Sequence, residues 1–239
     1  MQGTFKPVQC YHDGVTLDGF AARPESGETH PAVMMFPGAT GPSPSFRAAA
    51  RELASKGWLV VQADMYGKGA DVSTPQAAGV HFAELLKRPH IIRERAVAWF
   101  DAVRAMPDVD AARIAAIGYC FGGRCVLELA RSGAAVRSVS AFHALLTTHA
   151  PAREGEVSAH VAVWSGGQDP YAPVSEFDSL RAELDRAGAD YQATLFSQAR
   201  HAFTDPDHNG IAEGISYDPT AHRIAWSGTL ALLEATLAG

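Results

Sequence analysis

The sequence predicts an α/β fold, with a mostly parallel central sheet covered by helices on both faces. Two observations carry this. Short apolar runs of strand length alternate with longer stretches of helical periodicity along the whole 239-residue chain, joined by short connections. Several runs, such as Ala32–Phe36 and Trp58–Ala63, are apolar at successive positions, which suits strands buried on both faces.

Taken in order, Val15–Ala22 alternates weakly and reads as an edge strand, and Arg23-Pro-Glu-Ser-Gly27 as a turn. The buried strand Ala32–Phe36 runs into a loop dense in Gly and Pro, Pro37-Gly-Ala-Thr-Gly-Pro-Ser-Pro44. Phe46, Ala49, Ala50, Leu53 and Ala54 recur at helical spacing, and Gly57 closes that helix. Strand Trp58–Ala63 leads to the loop Asp64-Met-Tyr-Gly-Lys-Gly69. Residues 70–90 carry the weakest pattern and read as loop with a helical piece; whether 66–90 forms a lid stays open. Ile91–Met106 is an amphipathic helix stopped by Pro107. Strand Arg113–Gly118, helix Phe121–Ser132, and strands Val136–Phe142 and His160–Ser165 follow. Phe177, Leu180, Leu184 and Ala187 line a helix ended by Gly188; strand Asp190–Phe196 and helix Ala221–Leu237 close the chain. No linker or break in composition divides it, so residues 1–239 read as one domain. Ligands of such sheets gather at the carboxyl ends of the strands. The loops after residues 36, 63, 119, 142, 166 and 197 are therefore expected to share one rim.

The stretch Ile114-Ala-Ala-Ile-Gly-Tyr-Cys-Phe-Gly-Gly123 carries the chemistry. It reads as strand, sharp turn and helix, with Cys120 at the apex: the G-x-S-x-G elbow with Cys in place of Ser. Such a turn brings neighbouring backbones together, so the positions two before and two after the apex must be small, as Gly118 and Gly122 are. A helix N-terminus at Cys120 favours thiolate over thiol. Two rim loops supply partners. Asp169, in Ser165-Gly-Gly-Gln-Asp-Pro170, follows one strand, and His201 follows the next. The order nucleophile, acid, histidine is that of one hydrolase architecture. In this reading His201 moves the proton and Asp169 fixes its tautomer.

Gly118-Tyr-Cys-Phe-Gly-Gly123, Gly167-Gln-Asp169, Arg200-His-Ala-Phe203 and Ala63-Asp-Met-Tyr-Gly67 resemble the motifs of the dienelactone hydrolase family of α/β-hydrolases, over roughly residues 10–238. The resemblance implies an α/β-hydrolase fold, a Cys120–His201–Asp169 triad, and an oxyanion hole made by the backbone N–H groups of Ala39 and Phe121. It also exposes two departures. Where the family carries a Glu in the loop after residue 36, this chain has Gly38, so Cys120 is expected to pair with His201 directly. Where the family carries an Arg four residues after the His, this chain has Asp205, which points to a neutral substrate rather than an anionic lactone. The expected activity is hydrolysis of neutral carboxylic esters or lactones, aryl and short-acyl esters among them, through a thioester, with phosphotriesters as a side activity. Phe36, Gly38, Tyr119, Tyr171 and Phe203 are the pocket candidates. A second reading stays open: a non-hydrolytic thiol sensor or binding protein on the same fold.

Composition bounds the rest. A net charge of −6 without a Lys/Arg cluster excludes nucleic acid as the expected partner. No run of about 20 apolar residues is present, so no membrane span is expected. Met1-Gln-Gly-Thr-Phe-Lys-Pro lacks the apolar core of a signal peptide. Three cysteines without framework spacing indicate free thiols and a cytoplasmic setting, with Cys125 in helix core. No metal or cofactor is expected: H-E-x-x-H, C-x-x-C and G-x-G-x-x-G are all missing, and His143 and His208 are the only rim candidates for a metal. The expected partner is a small-molecule ester, the chain acting as monomer or homodimer.

Overall fold

The computed structural model describes residues 5–24 and 29–238. Their eight strands form one sheet in the order β1-β2-β4-β3-β5-β6-β7-β8. β1 (Phe5–His12) and β2 (Val15–Ala22) form an antiparallel hairpin, and β2 pairs antiparallel with β4 (Leu59–Gln62). All other pairings, through β3 (His30–Phe36), β5 (Val109–Tyr119), β6 (Ser138–Phe142), β7 (His160–Gly166) and β8 (Tyr191–Phe196), are parallel. The expected mostly parallel sheet is thus present. Val15–Ala22 is not its edge, however. β1 lies outside it, and its mixed sequence buries only Cys10, which left no period to read. The last three residues of the turn expected at 23–27 lie outside the described residues.

The pleat sorts the strand residues between two cores. Ala32, Met34, Phe36, Ile114 and Ala116 face one side, with α3 (Pro89–Arg104), α4 (Phe121–Arg131) and α5 (Val174–Ala187). Val33, Met35, Ala115 and Ile117 face the other, with α1 (Pro44–Ser55) and α6 (Pro219–Leu237). Helix starts follow local chemistry. Ser43 accepts from the Phe46 N–H with Pro44 behind it, and Asp218 accepts from the Thr220 and Ala221 N–H groups ahead of α6. The weak stretch at 70–90 contains α2 (Pro75–Leu86), capped by Thr74; it buries only Ala78 and Leu85, so the sequence carried little apolar signal there.

β3 has β4 on one side and β5 on the other, so the chain order reverses at β3. A crevice opens at the carboxyl ends of strands at such a switch. The loop after β3 and the turn after β5 both stand there.

Candidate active site

Cys120 sits between β5 and α4 with φ 53° and ψ −114°. A non-glycine residue in this half of backbone space costs on the order of 1–3 kcal/mol, and persists only where its surroundings dictate it. They do so here by close backbone contact. A Cβ on Gly118 would run into the Gly122 backbone, one on Gly122 into the Phe36 carbonyl, and one on Gly123 would lie 2.5 Å from the Ala144 Cβ. The Cys120 N–H donates to Phe142 O at 3.0 Å, tying the apex to β6.

His201 follows β8. Its N–H donates to Gly214 O at 3.0 Å and its carbonyl accepts from Ser216 N–H at 3.1 Å, so the backbone is held on both sides. Its Nδ1 lies 2.8 Å from Asp169 Oδ2. The other oxygen, Asp169 Oδ1, accepts from the Tyr171 and Ala172 N–H groups at 2.8 and 3.2 Å, which fixes the carboxylate. The imidazole and the Ala39 and Phe121 N–H groups all favour a negative charge on the Cys120 sulfur. Burial opposes a charge on Cys120, but His201 and the two amides outweigh it and hold the thiol below its ordinary value. Burial likewise opposes a charge on His201, yet Cys120 and Asp169 raise it to about 10. Each group thus favours the charged form of the other, thiolate on Cys120 and imidazolium on His201. A Cβ at Gly38 would lie 3.7 Å from the Cys120 Cβ, so this position does border the sulfur and offers it no carboxylate.

A cavity of about 500 Å³ opens over Cys120. Of the pocket candidates, Gly38, Tyr119 and Tyr171 line it. Phe36 and Phe203 do not; both are fully buried, Phe36 at the end of β3 in one core and Phe203 in the other. The period of β3 leaves its phase open at the last residue, where Phe36 points into the core, and Phe203 does so because the turn after His201 folds it under the sheet end. Five of the six expected rim loops reach the cavity. The loop after β4 lines instead a smaller hollow of about 270 Å³ on the other side of Gly38.

Sequence reasoning missed much of the wall. Phe46 meets Tyr119 edge-on, Trp226 donates from Nε1 to both Glu52 oxygens at 3.1 Å, and Phe82 comes from α2. His143 is buried next to His201, ring centroids 5.2 Å apart, with Nε2 2.8 Å from Thr204 Oγ1. Burial and the His201 charge push it well below the usual histidine range, so it is neutral. Its place at a strand end was the only signal in the sequence. Among the described residues no cluster of three or more His, Cys, Asp or Glu could hold a metal ion, and no helix is long and apolar enough to cross a membrane.

Asp205 also lines the cavity, but its carboxylate is engaged. It accepts from Ser45 Oγ at 2.9 Å and from the Asp207 N–H at 2.9 Å, and meets His208 Nδ1 at 2.8 Å. Burial would raise its pKa, but His208 and Ser45 hold it below the ordinary value, so the charge persists. His208 Nε2 lies 3.5 Å from Thr40 Oγ1, and Asp207 accepts from the Ser45 N–H at 2.7 Å. The loop after His201 is thereby fastened to the loop after β3. Arg200 is exposed and does not reach the cavity.

The reversal of strand order at β3, the Cys120 elbow, and an acid and a histidine on later strand-end loops define an α/β-hydrolase. Residues 17–237 match the pattern of the Dienelactone hydrolase family, and the chain belongs to that family of ester and lactone hydrolases. It is similar to a dienelactone hydrolase-like promiscuous phosphotriesterase from metagenomic libraries, with a TM-score of 0.90 and 30% identity over 99% of each chain. It is 25% identical to a probable 2-oxo-3-(5-oxofuran-2-ylidene)propanoate lactonase of Bradyrhizobium sp, over 95% of this chain and 92% of the relative. A putative carboxymethylenebutenolidase of Methylorubrum extorquens is 24% identical, over 80% of this chain and 69% of that protein.

Proposed function

We propose that this chain is a single catalytic unit that hydrolyses neutral carboxylic esters and lactones through Cys120, His201 and Asp169. One observation carries the reading: a sulfur at a strained apex, its charge favoured by two backbone amides and by an imidazole that Asp169 holds at 2.8 Å.

The Cys120 thiolate attacks the carbonyl carbon, and the carbonyl π pair moves onto oxygen. That oxyanion takes over the Ala39 and Phe121 N–H groups, which in the resting state face the sulfur. Each such donor is worth ~3–4 kcal/mol in the transition state. Collapse breaks the bond to the alkoxide, which takes its proton from His201. A thioester remains. His201, now neutral, removes a proton from water, whose oxygen attacks the thioester, and Cys120 leaves as thiolate. Asp169 holds Nδ1 throughout, so Nε2 handles both protons.

The cavity favours uncharged substrates. Among the described residues no Lys or Arg lines it, while Glu52 and Asp205 do. A carboxylate-bearing lactone would meet two carboxylates and no Lys or Arg to pair with. A neutral phosphotriester fits the same sulfur and the same amides, and a structural neighbour is named for promiscuous action on phosphotriesters; we read this as a side activity here. A thiol sensor would need no acid behind its histidine, so the Asp169–His201 contact favours hydrolysis. Three free cysteines fit a reducing, cytoplasmic setting.

The test is a panel of 4-nitrophenyl acetate, an anionic lactone and a nitrophenyl phosphotriester. Wild type is expected to turn over the acetate, weakly the phosphotriester and least the lactone. Cys120→Ala should lose about 10³-fold or more in kcat/KM on the acetate. Turnover unchanged in that variant would remove Cys120 as nucleophile, and a labelled sulfur without any turnover would favour the sensor.

A further inference from the structure

The loop after β4 stays out of the main cavity, yet its Tyr66 touches both residues whose amides reach Cys120. Its hydroxyl donates to Ala39 O at 2.7 Å. Its ring lies parallel to the Phe121 ring, interplanar angle 1° and centroids 5.9 Å apart. We propose that Tyr66 is a positioning residue for the oxyanion hole, holding the Ala39 turn by its hydroxyl and the first residue of α4 by its ring. This rests on the reading of Cys120 as nucleophile and of Ala39 and Phe121 as oxyanion donors.

The Ala39 turn needs such a support. Gly41 N–H donates to Gly38 O at 3.0 Å, which closes the turn and polarises the peptide that carries the Ala39 N–H. That bond fixes one end of Ala39. The other end, its carbonyl, takes the Tyr66 hydroxyl, so the N–H cannot swing away from Cys120 without breaking one of the two. Phe121 has its own N–H free because it opens a helix; what must be fixed is the direction of that first turn, and the stacked rings do so.

Tyr66 is itself held at its N–H and at its carbonyl, and the loop on either side of it is pinned as well. Asp64 accepts from the Tyr66 and Gly67 N–H groups, both at 2.8 Å. Arg95 donates from Nη1 to the Met65 and Tyr66 carbonyls at 2.6 and 3.1 Å, and Trp99 Nε1 donates to Asp64 O at 2.6 Å. The anchor therefore runs from α3 through Tyr66 to the oxyanion donors. Burial first, then Cys125, Cys120 and Asp64, raise the Tyr66 phenol, so it remains a donor across the working pH range.

The experiment compares wild type, Tyr66→Phe, Tyr66→Leu and Tyr66→4-aminophenylalanine, with Cys120→Ala as reference, on 4-nitrophenyl acetate. Tyr66→Phe keeps the stacked ring and the packing. It is expected to lower kcat about tenfold, less than outright loss of a donor, with KM within about twofold. It should also raise the pH midpoint of Cys120 alkylation, because a loosened Ala39 N–H stabilises the thiolate less. Tyr66→Leu, which loses both contacts, should fall further. The amino variant restores a donor at the same ring position and should recover most of the rate, which a purely structural role would not predict. Tyr66→Phe with wild-type kcat and an unmoved alkylation midpoint overturns the proposal while Cys120→Ala is inactive. An active Cys120→Ala instead overturns the underlying reading. Should Tyr66→Phe not fold, the amino variant decides: wild-type folding without recovered rate counts against the hydroxyl's role.

Discussion

The elbow and the cavity wall both hold groups against the bound molecule, and they do so over very different spans of chain. Around Cys120 the restraint is steric and local: glycines at 118, 122 and 123 whose missing side chains would strike backbone or Ala144. Along the wall the restraint is hydrogen bonding between distant segments, with Ser45 joined to Asp205, Ser45 to Asp207, and Thr40 to His208. Within residues 118–123 the titratable groups are Cys120 and Tyr119, and burial keeps the Tyr119 phenol protonated. The wall is largely apolar, with the carboxylates of Glu52 and Asp205 and the imidazoles of His208 and His222 set among Phe46, Phe82 and Trp226. The elbow is thus set by backbone contact, and the wall by side-chain hydrogen bonds between separate loops.

Gly118→Ala is the most severe way to break the elbow. Its Cβ would meet backbone, which no rotamer change relieves, and the expected cost is about 3 kcal/mol. Chemical denaturation of wild type and variant measures it; equal midpoints would mean the turn is looser than described. Asp169→Asn leaves the elbow intact and attacks its partner. A fall of about 10³-fold or more in kcat/KM is expected, with little change in melting temperature.

The charge pair makes a signed prediction. The Cys120 pKa is lowered, so its thiolate persists as pH falls and disappears only below the depressed value. His201→Ala removes the cation and leaves burial in control, so the alkylation midpoint should rise above the ordinary thiol value of 9.0. Rates of iodoacetamide labelling against pH, read by mass spectrometry, give both midpoints; a midpoint that stays put without the imidazole would refute the pairing. The smallest effect belongs to the wall. Asp205→Asn should raise kcat/KM for an anionic ester relative to its neutral isostere by about threefold to tenfold, and the gain should shrink with added salt. Asp205 stays ionised to below its ordinary value of 3.8, so the discrimination should hold throughout neutral pH.

The same contrast explains what could be read from sequence. Cys120 was legible because the glycines that its sharp turn requires lie within three residues of it in the sequence. Asp169 and His201 were legible because each follows a strand in the expected order. Nothing at Ser45 points to residue 205, and Ser45 reads as an ordinary residue of a helix start. The role of Asp205 was only half legible: its charge does face the cavity, but it also ties two loops together. Trp226 and Phe82 come from regular helices whose inward positions depend on packing. Phe36, at the end of β3, and Phe203, in the turn after His201, are both buried in the cores, a direction that a single aromatic in a sequence does not reveal.

The three sulfurs also differ in a way that has a practical consequence. Burial pushes Cys10 up to about 11 and Cys125 well above its usual value, whereas Cys120 is depressed. At neutral pH, with electrophile in excess, each folded molecule should therefore rapidly take up one equivalent, and denaturation should expose two more thiols. The fraction of competent protein in any preparation can be counted directly from that stoichiometry.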